Sequence, residues 1–283
     1  MLTLQEQTDV KKLQDICESA DGVQLKLNWD MLRNREAGVK NDFLLYEGDL
    51  LIGFAALYGF GSMVEICGMV HPDARRRGIF TKLMAEAMDE VRIRKFNKVL
   101  LNAPSDSNSA KGFLNQLDCH FAHSEHQMKW HEFTNMVPPR AELYPIVAQS
   151  VLLRPSEPED LELEVQLDVR CFNFPESDAR EYTERLKCEG QGRMYIIEQN
   201  QKAVGKMRVI SEDGEAWIYG FAVLPDVQGR GIGRSALKQI VQQERANGSD
   251  VYLEVEATNR NALKLYEDCG FRSYHSQDYY SYK

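Results

Sequence analysis

The run from Ala216 to Phe271 constrains this chain more than any other. It opens with the apolar stretch Trp217 to Val223, which predicts a buried strand, and Pro225-Asp226 ends it. Gln228-Gly229-Arg230-Gly231-Ile232-Gly233 follows, and then Ser235 to Ala246, where Leu237, Ile240 and Val241 recur at helical spacing. A glycine-rich loop therefore joins a strand to a helix. The first N–H groups of a helix lack intrahelical partners, and the helix dipole adds partial positive charge there. Glycines let the backbone approach an anion without a Cβ in the way. Such a junction is a cradle for phosphate or pyrophosphate, and Arg230 and Arg234 add charge at its rim.

The spacing excludes two familiar phosphate loops. A dinucleotide loop GxGxxG would need its third glycine at Arg234 and a strand running straight into the loop. A P-loop needs Gly-Lys-Ser/Thr, which is absent. The pattern Gln-x-x-Gly-x-Gly after a strand and a Pro-Asp turn resembles motif A of the GNAT acetyltransferase superfamily. After the predicted strand Val251 to Glu256, Asn259-x-x-Ala262-x-x-Leu265-Tyr266-x-x-x-Gly270-Phe271 resembles the family's motif B. Leu253-Glu254-Val255 through Tyr266 to Phe271 is similar to the protein N-terminal alanine acetyltransferases.

A chain of 283 residues with 43% hydrophobic and 27% charged content has room for two globular domains at about 150 residues each. A net charge of −9 leaves no basic footprint for nucleic acid. The N-terminal MLTLQEQTDVKKLQDIC lacks a signal peptide's apolar core. The uncharged stretch Leu50 to Val64 is too short and too broken by glycines to span a bilayer. Six cysteines without CxxC pairing suit reduced thiols in a cytoplasm. Monomer and homodimer both stay open.

The loop has an echo. Pro72-Asp73 matches Pro225-Asp226 at an offset of 153 (225 − 72), and Arg75-x-x-Gly78-Ile79 falls on Gln228-x-x-Gly231-Ile232. Gly53 falls on Gly205 at nearly the same offset, and Asp118-Cys119-His120-Phe121 lies opposite Asp268-Cys269-Gly270-Phe271. One fold occurs twice. The expected organisation is an N-terminal domain over 1–134, a proline-bearing linker over 135–150, and a C-terminal domain over 151–283. The expected fold class is α/β (α+β): two tandem GNAT-like domains, each a mixed, mostly antiparallel central sheet flanked by helices. The tandem arrangement is similar to that of mycothiol synthase. The N-terminus predicts a strand start at Thr3 and then a helix to Ala20.

The resemblance implies transfer of an acetyl group from acetyl-coenzyme A to an amine, either a small molecule or a peptide N-terminus. A carboxylate serves such chemistry as general base, a tyrosine can protonate the leaving thiolate, and a backbone N–H stabilises the carbonyl oxygen. By resemblance, Tyr266 is the acid. Glu254 is the candidate base, with Glu215 and Glu256 as competitors. Phe221, Ala222 and Val223 supply backbone to the acetyl and pantetheine groups. Gln228, Gly229, Arg230, Gly231, Ile232, Gly233 and Arg234 hold the pyrophosphate, and Asn259 contacts the cofactor's arm.

The first half departs at each of these places. Phe80 replaces Gly233, Asn102 replaces Glu254, and the helix around Leu114 offers no tyrosine. A catalytically degenerate first domain is therefore expected, with one tight acetyl-coenzyme A site per chain, in the second. His123 and His126 point to opposite faces of a strand, so no metal site is expected. Phe172, Phe174 and Pro175 either line an acceptor pocket or belong to the core. Two rival readings are a non-catalytic acyl-coenzyme A sensor and a transferase of another acyl group.

Overall fold

The computed structural model describes residues 1–132, 151–190 and 192–283. The expected linker, 135–150, lies outside the described residues. The chain forms two compact units, Met1–Ser124 with His275–Lys283, and Glu125–Tyr274.

The first unit runs α1 (Leu4–Asp21), α2 (Trp29–Arg33), β1 (Asp42–Glu47), β2 (Leu50–Phe60), β3 (Met63–Val70), α3 (Ile79–Ile93), β4 (Lys98–Pro104), α4 (Asn108–Leu114) and the opening of β5 (Cys119–Trp130). Thr3 does not start a strand. Its hydroxyl accepts from the Glu6 N–H, while the Glu6 carboxylate accepts from the Thr3 N–H, so a capping box starts α1 directly. The second unit runs β6 (Val151–Pro155), α5 (Leu161–Phe172), α6 (Glu176–Glu189), β7 (Arg193–Gln199), β8 (Lys202–Glu212), β9 (Glu215–Val223), α7 (Ile232–Ala246), β10 (Asp250–Glu256), α8 (Arg260–Asp268) and the opening of β11 (Phe271–Tyr282). The strands of the first unit follow the order β1-β2-β3-β4-β11 and those of the second the order β5-β10-β9-β8-β7-β6. Among the described residues, β3–β4 and β9–β10 pair in parallel and the other pairs within each unit run antiparallel, so the strands of each unit are mixed and mostly antiparallel.

In the second unit α7 lays Ile232, Ala236, Leu237, Ile240 and Val241 on the sheet face carrying Ile218, Val251 and Leu253. In the first unit α3 does the same with Ile79, Leu83, Ala87 and Val91 on Ile66 and Leu101. Here α1 also buries Val10, Leu13 and Cys17 on the opposite face, against Phe54, Cys67 and Met69.

The parallel pair separates in both units. Pairing runs from Met63↔Lys98 to Ile66↔Leu101, and from Glu215↔Asp250 to Ile218↔Leu253, although all four strands continue beyond. Up to these points the repeats stand 152 residues apart (218 − 66), whereas the Pro-Asp turns stand 153 apart. A β-bulge supplies the extra residue. The β2–β3 register is unbroken from Phe60↔Met63 to Gly53↔Val70, but β9 leaves Gly220 and Phe221 without partners between Arg208↔Tyr219 and Lys206↔Ala222. Gly220 takes φ +55°, a conformation that costs glycine little. The bulge turns Phe221 onto the core face, where its ring meets Tyr266.

The units do not divide at the expected boundary. The end of β11, Gln277–Tyr282, pairs with β4 in the first unit, and Glu125–Lys129 of β5 pairs with β10 in the second. Each sheet is completed by a strand from the other repeat. Residues 1–134 and 151–283 produced as separate chains should therefore copurify through a tag on one of them. Independent elution of two folded fragments would show that each repeat closes its own sheet.

Candidate active site

Both strand–helix junctions hold the same backbone. Gly229 and Gly231 have φ of +74° and +80°, and Arg76 and Gly78 have +63° and +76°. A non-glycine residue pays for the left-handed region, roughly 1–2 kcal/mol at Arg76, so the conformation is imposed on the first loop too. Neither α3 nor α7 has a side chain capping its first N–H groups; Gly78 and Gly231 stand at the N-caps. Two successive left-handed turns and an uncapped helix N-terminus suit a pyrophosphate group.

Side chains brace each loop from behind. Gln228 Nε2 donates to the Val223 carbonyl at 2.8 Å, and Arg75 Nε donates to the Val70 carbonyl at 3.1 Å. The thiols of Cys171 and Cys17 donate to the same two carbonyls, at 3.5 and 3.4 Å. Gln228 thus fixes the loop's entry. Arg230 donates to the Asp226 carbonyl at 3.1 Å and stays at the exposed rim. Arg234, expected at the rim, is held 2.8 Å from the Asp268 carboxylate, because the first turn of α7 faces the end of α8. Asn259 caps α8, accepting from the Ala262 N–H at 3.1 Å. In the first loop Arg75 and Arg77 pair with Asp21 and Glu47, at 2.7 and 2.9 Å.

Phe80 does not obstruct the first loop as its sequence position implied. A Cβ on Gly68 would lie 2.5 Å from Phe80 Cε2, and a Cβ on Gly233 would lie 3.4 Å from Phe221 Cζ. The repeats have exchanged the two members of one contact: glycine on the strand and phenylalanine on the helix in the first, the reverse in the second. The first unit keeps a cavity of about 540 Å³ between the parted β3 and β4, reaching from Arg76 and Gly78 past Phe80 and Phe113 to Asn102 and Lys26.

Chemical side chains collect in the second unit. Glu254 is the first β10 residue beyond the point where pairing with β9 stops. Gln127 lies beside it and donates Nε2–H to its carboxylate at 2.9 Å. Sequence reading missed Gln127, because a strand pairing 127 residues away (254 − 127) leaves no local signal. Glu215 accepts from Trp217 Nε1 at 2.9 Å, while Glu256 is bonded to the Thr258 hydroxyl. Tyr266 is 7% exposed, between Phe221 and Phe271 at ring separations of 6.3 and 6.2 Å. Burial pushes its phenol above the ordinary tyrosine range, so it holds its proton at neutral pH. In the first unit the matching positions carry Asn102 and the core residue Leu114. Phe172 is 39% exposed and meets Phe174, which meets Tyr182, so these rings form a surface cluster and not core.

The sequence profile of the acetyltransferase (GNAT) family matches residues 10–118 and 162–271, one copy per repeat. This chain belongs to the GNAT family. Within it, ribosomal protein bS18-alanine N-acetyltransferase of Escherichia coli (strain K12) is 31% identical over 121 residues, 41% of this chain and 76% of that protein. Mycothiol acetyltransferase of Saccharopolyspora erythraea is 27% identical over 233 residues, 71% of each chain. Among solved structures, a GCN5-related N-acetyltransferase from Sphaerobacter thermophilus superposes with a TM-score of 0.74 over 96% of this chain and 91% of its own, at 19% identity. A tandem GNAT protein from the clavulanic acid biosynthesis pathway superposes with 0.68 over 99% and 96%, at 16% identity. This GNAT protein is an acyltransferase with two copies of the family fold. Among the described residues, no helix is long and apolar enough to cross a membrane, and no three His, Cys, Asp or Glu side chains gather as metal ligands would.

Proposed function

We propose that the second unit transfers an acetyl group from acetyl-coenzyme A directly to a primary amine, while the first unit binds the thioester without turning it over. One observation carries the assignment of chemistry: of the two units, the second has the bulge, with Tyr266 against Phe221, and has Glu254 at the point where β9 and β10 part. The loop of residues 228–233 holds the pyrophosphate by its N–H groups. The bulged backbone at Phe221 offers an N–H to the carbonyl oxygen as it gains charge. Glu254, oriented by Gln127, takes a proton from the acceptor ammonium. The nitrogen then attacks the carbonyl carbon, the C–S bond breaks, Tyr266 gives its proton to the departing sulfur, and the second proton leaves the nitrogen to solvent as the neutral amide forms. The six thiols carry no disulfide, which supports a reducing compartment such as the cytoplasm.

The retained cradle and the cavity of the first unit support its binding role. Amines of several classes, incubated with acetyl-coenzyme A under detection of released thiol, test the reading. Release that depends on an amine and tracks its acetylation is the expected result. Tight binding of acetyl-coenzyme A with no thiol release from any amine would favour a sensing protein.

A further inference from the structure

One face of the second unit's strands carries Trp217, Tyr219 and Tyr252 where the first unit carries Glu65, Cys67 and Leu100. Residues 215, 217 and 219 of β9 and residues 252 and 254 of β10 share that face, since strand side chains alternate; their neighbours Ala216, Ile218, Val251 and Leu253 line the core behind. Trp217 stands abreast of Tyr252, and the two rings stack at 4.9 Å with 16° between their planes. Tyr274 meets Tyr252 edge-on at 6.0 Å, and Tyr219 flanks Trp217 at 6.4 Å. Tyr274 is 41% exposed. The result is an aromatic floor leading to the gap between the parted strands, in which Trp217 and Tyr252 cover one face of each other and Tyr252 is buried, 8% exposed.

A carboxylate stands at each end of this floor. Glu254 lies at the gap, level with Tyr219, and Glu215 lies four residues earlier on β9, roughly 13 Å away at about 3.3 Å per residue. The Tyr274 phenol, raised first by its own burial, is raised further by Tyr252, Glu254 and Glu215, so it lies in the field of both carboxylates. Rings bounded by carboxylates suit a cation. The floor already holds cations at its margins, with Arg208 5.1 Å from the Tyr219 centroid and Lys129 5.1 Å from that of Tyr252.

The first unit shows what takes the corresponding place there. Tyr279 pairs with Asn102 as Gln127 pairs with Glu254, both 152 residues apart (279 − 127 and 254 − 102). Lys26 donates to the Tyr279 hydroxyl at 2.7 Å and lies 5.5 Å from its ring centroid. An ammonium group of the chain itself thus lies against the residue that stands for Gln127, in the unit whose counterpart of Glu254 is Asn102.

Resting on the transferase reading above, we propose that the floor formed by Trp217, Tyr219 and Tyr274 around the buried Tyr252 binds a second positive charge on the acceptor. The acceptor is then an amine with another cationic group remote from the reacting nitrogen. The reacting ammonium meets Glu254 at the gap, and the remote cation crosses the rings to Glu215.

The test compares kcat/KM for linear diaminoalkanes of increasing length with alkylamines of matched length. Diamines long enough to span the floor should be preferred by about tenfold. In Glu215→Gln that ratio should fall to near one, and Glu215→Asp should restore part of it. A ratio near one in the unsubstituted enzyme overturns the inference and leaves the transferase reading standing. A Glu215→Gln variant that slows both substrates equally also overturns it, since Glu215 would then serve the reacting nitrogen. No acetylation of any amine overturns the reading beneath it.

Discussion

Tyr266→Phe is expected to lower kcat by roughly 10²- to 10⁴-fold, the usual size of a general-acid contribution. The leaving thiolate is basic enough, with a cysteine-like pKa of about 8.5, to profit from a donor in the transition state. Burial between Phe221 and Phe271 keeps the phenol protonated at neutral pH. The substitution removes one hydroxyl and almost none of the packing, so the fold and the KM for acetyl-coenzyme A should change little. Leu114 is the control, 152 residues earlier (266 − 114) and buried in the first core. Leu114→Ala should cost about 2–5 kcal/mol of stability and leave the chemical step alone. Steady-state kinetics with an acceptor from the amine screen decide the matter. Full kcat in Tyr266→Phe would make the tyrosine a packing residue.

Gly231→Glu is expected to lower kcat/KM by at least about a hundredfold, because it sets a carboxylate where the cradle receives an anion. Gly78→Glu is the matched comparison. Gly78 and Gly231 have φ of +76° and +80°, so both variants carry the same backbone strain of roughly 1–2 kcal/mol. A general loss of folding would therefore affect both alike. Calorimetric titration of the unsubstituted protein should show acetyl-coenzyme A binding in both units, with each variant losing one of them. Turnover should fail with Gly231→Glu. Loss of turnover with Gly78→Glu instead would move the chemistry to the first unit. A single class of site that Gly231→Glu alone removes would restore the one-site expectation and leave the first cavity to another ligand.

Much of this protein was legible locally. The Pro-Asp turn, the glycine loop and the helical spacing after it each lie within a few residues, and local backbone physics sets them: a strand broken by proline, glycines at positive φ, and an apolar stripe along α7. The repeat was legible because the same local signals recur 153 residues apart. The one-residue mismatch at Gly53 and Gly205 was visible, and its meaning was not. A bulge exists only between two paired strands, so nothing short of the β8–β9 register reveals that Gly220 and Phe221 are unmatched.

Long-range pairing decided the rest. Phe80 reads as an obstacle until Gly68 is seen beneath it, since a contact's volume is shared by both partners and one sequence position shows half of it. Asn259 and Arg234 match the family pattern, but capping and ion pairing with neighbouring elements decide what their side chains touch. Gln127 gained its place beside Glu254 through strand exchange, as did Tyr279 beside Asn102. The sequence by itself determined most of the elements, that they form twice, and where the glycine loops join strand to helix. The tertiary structure alone decided which strand completes each sheet and which side chains surround Glu254, because hydrogen bonds between strands join residues without regard to their distance along the chain.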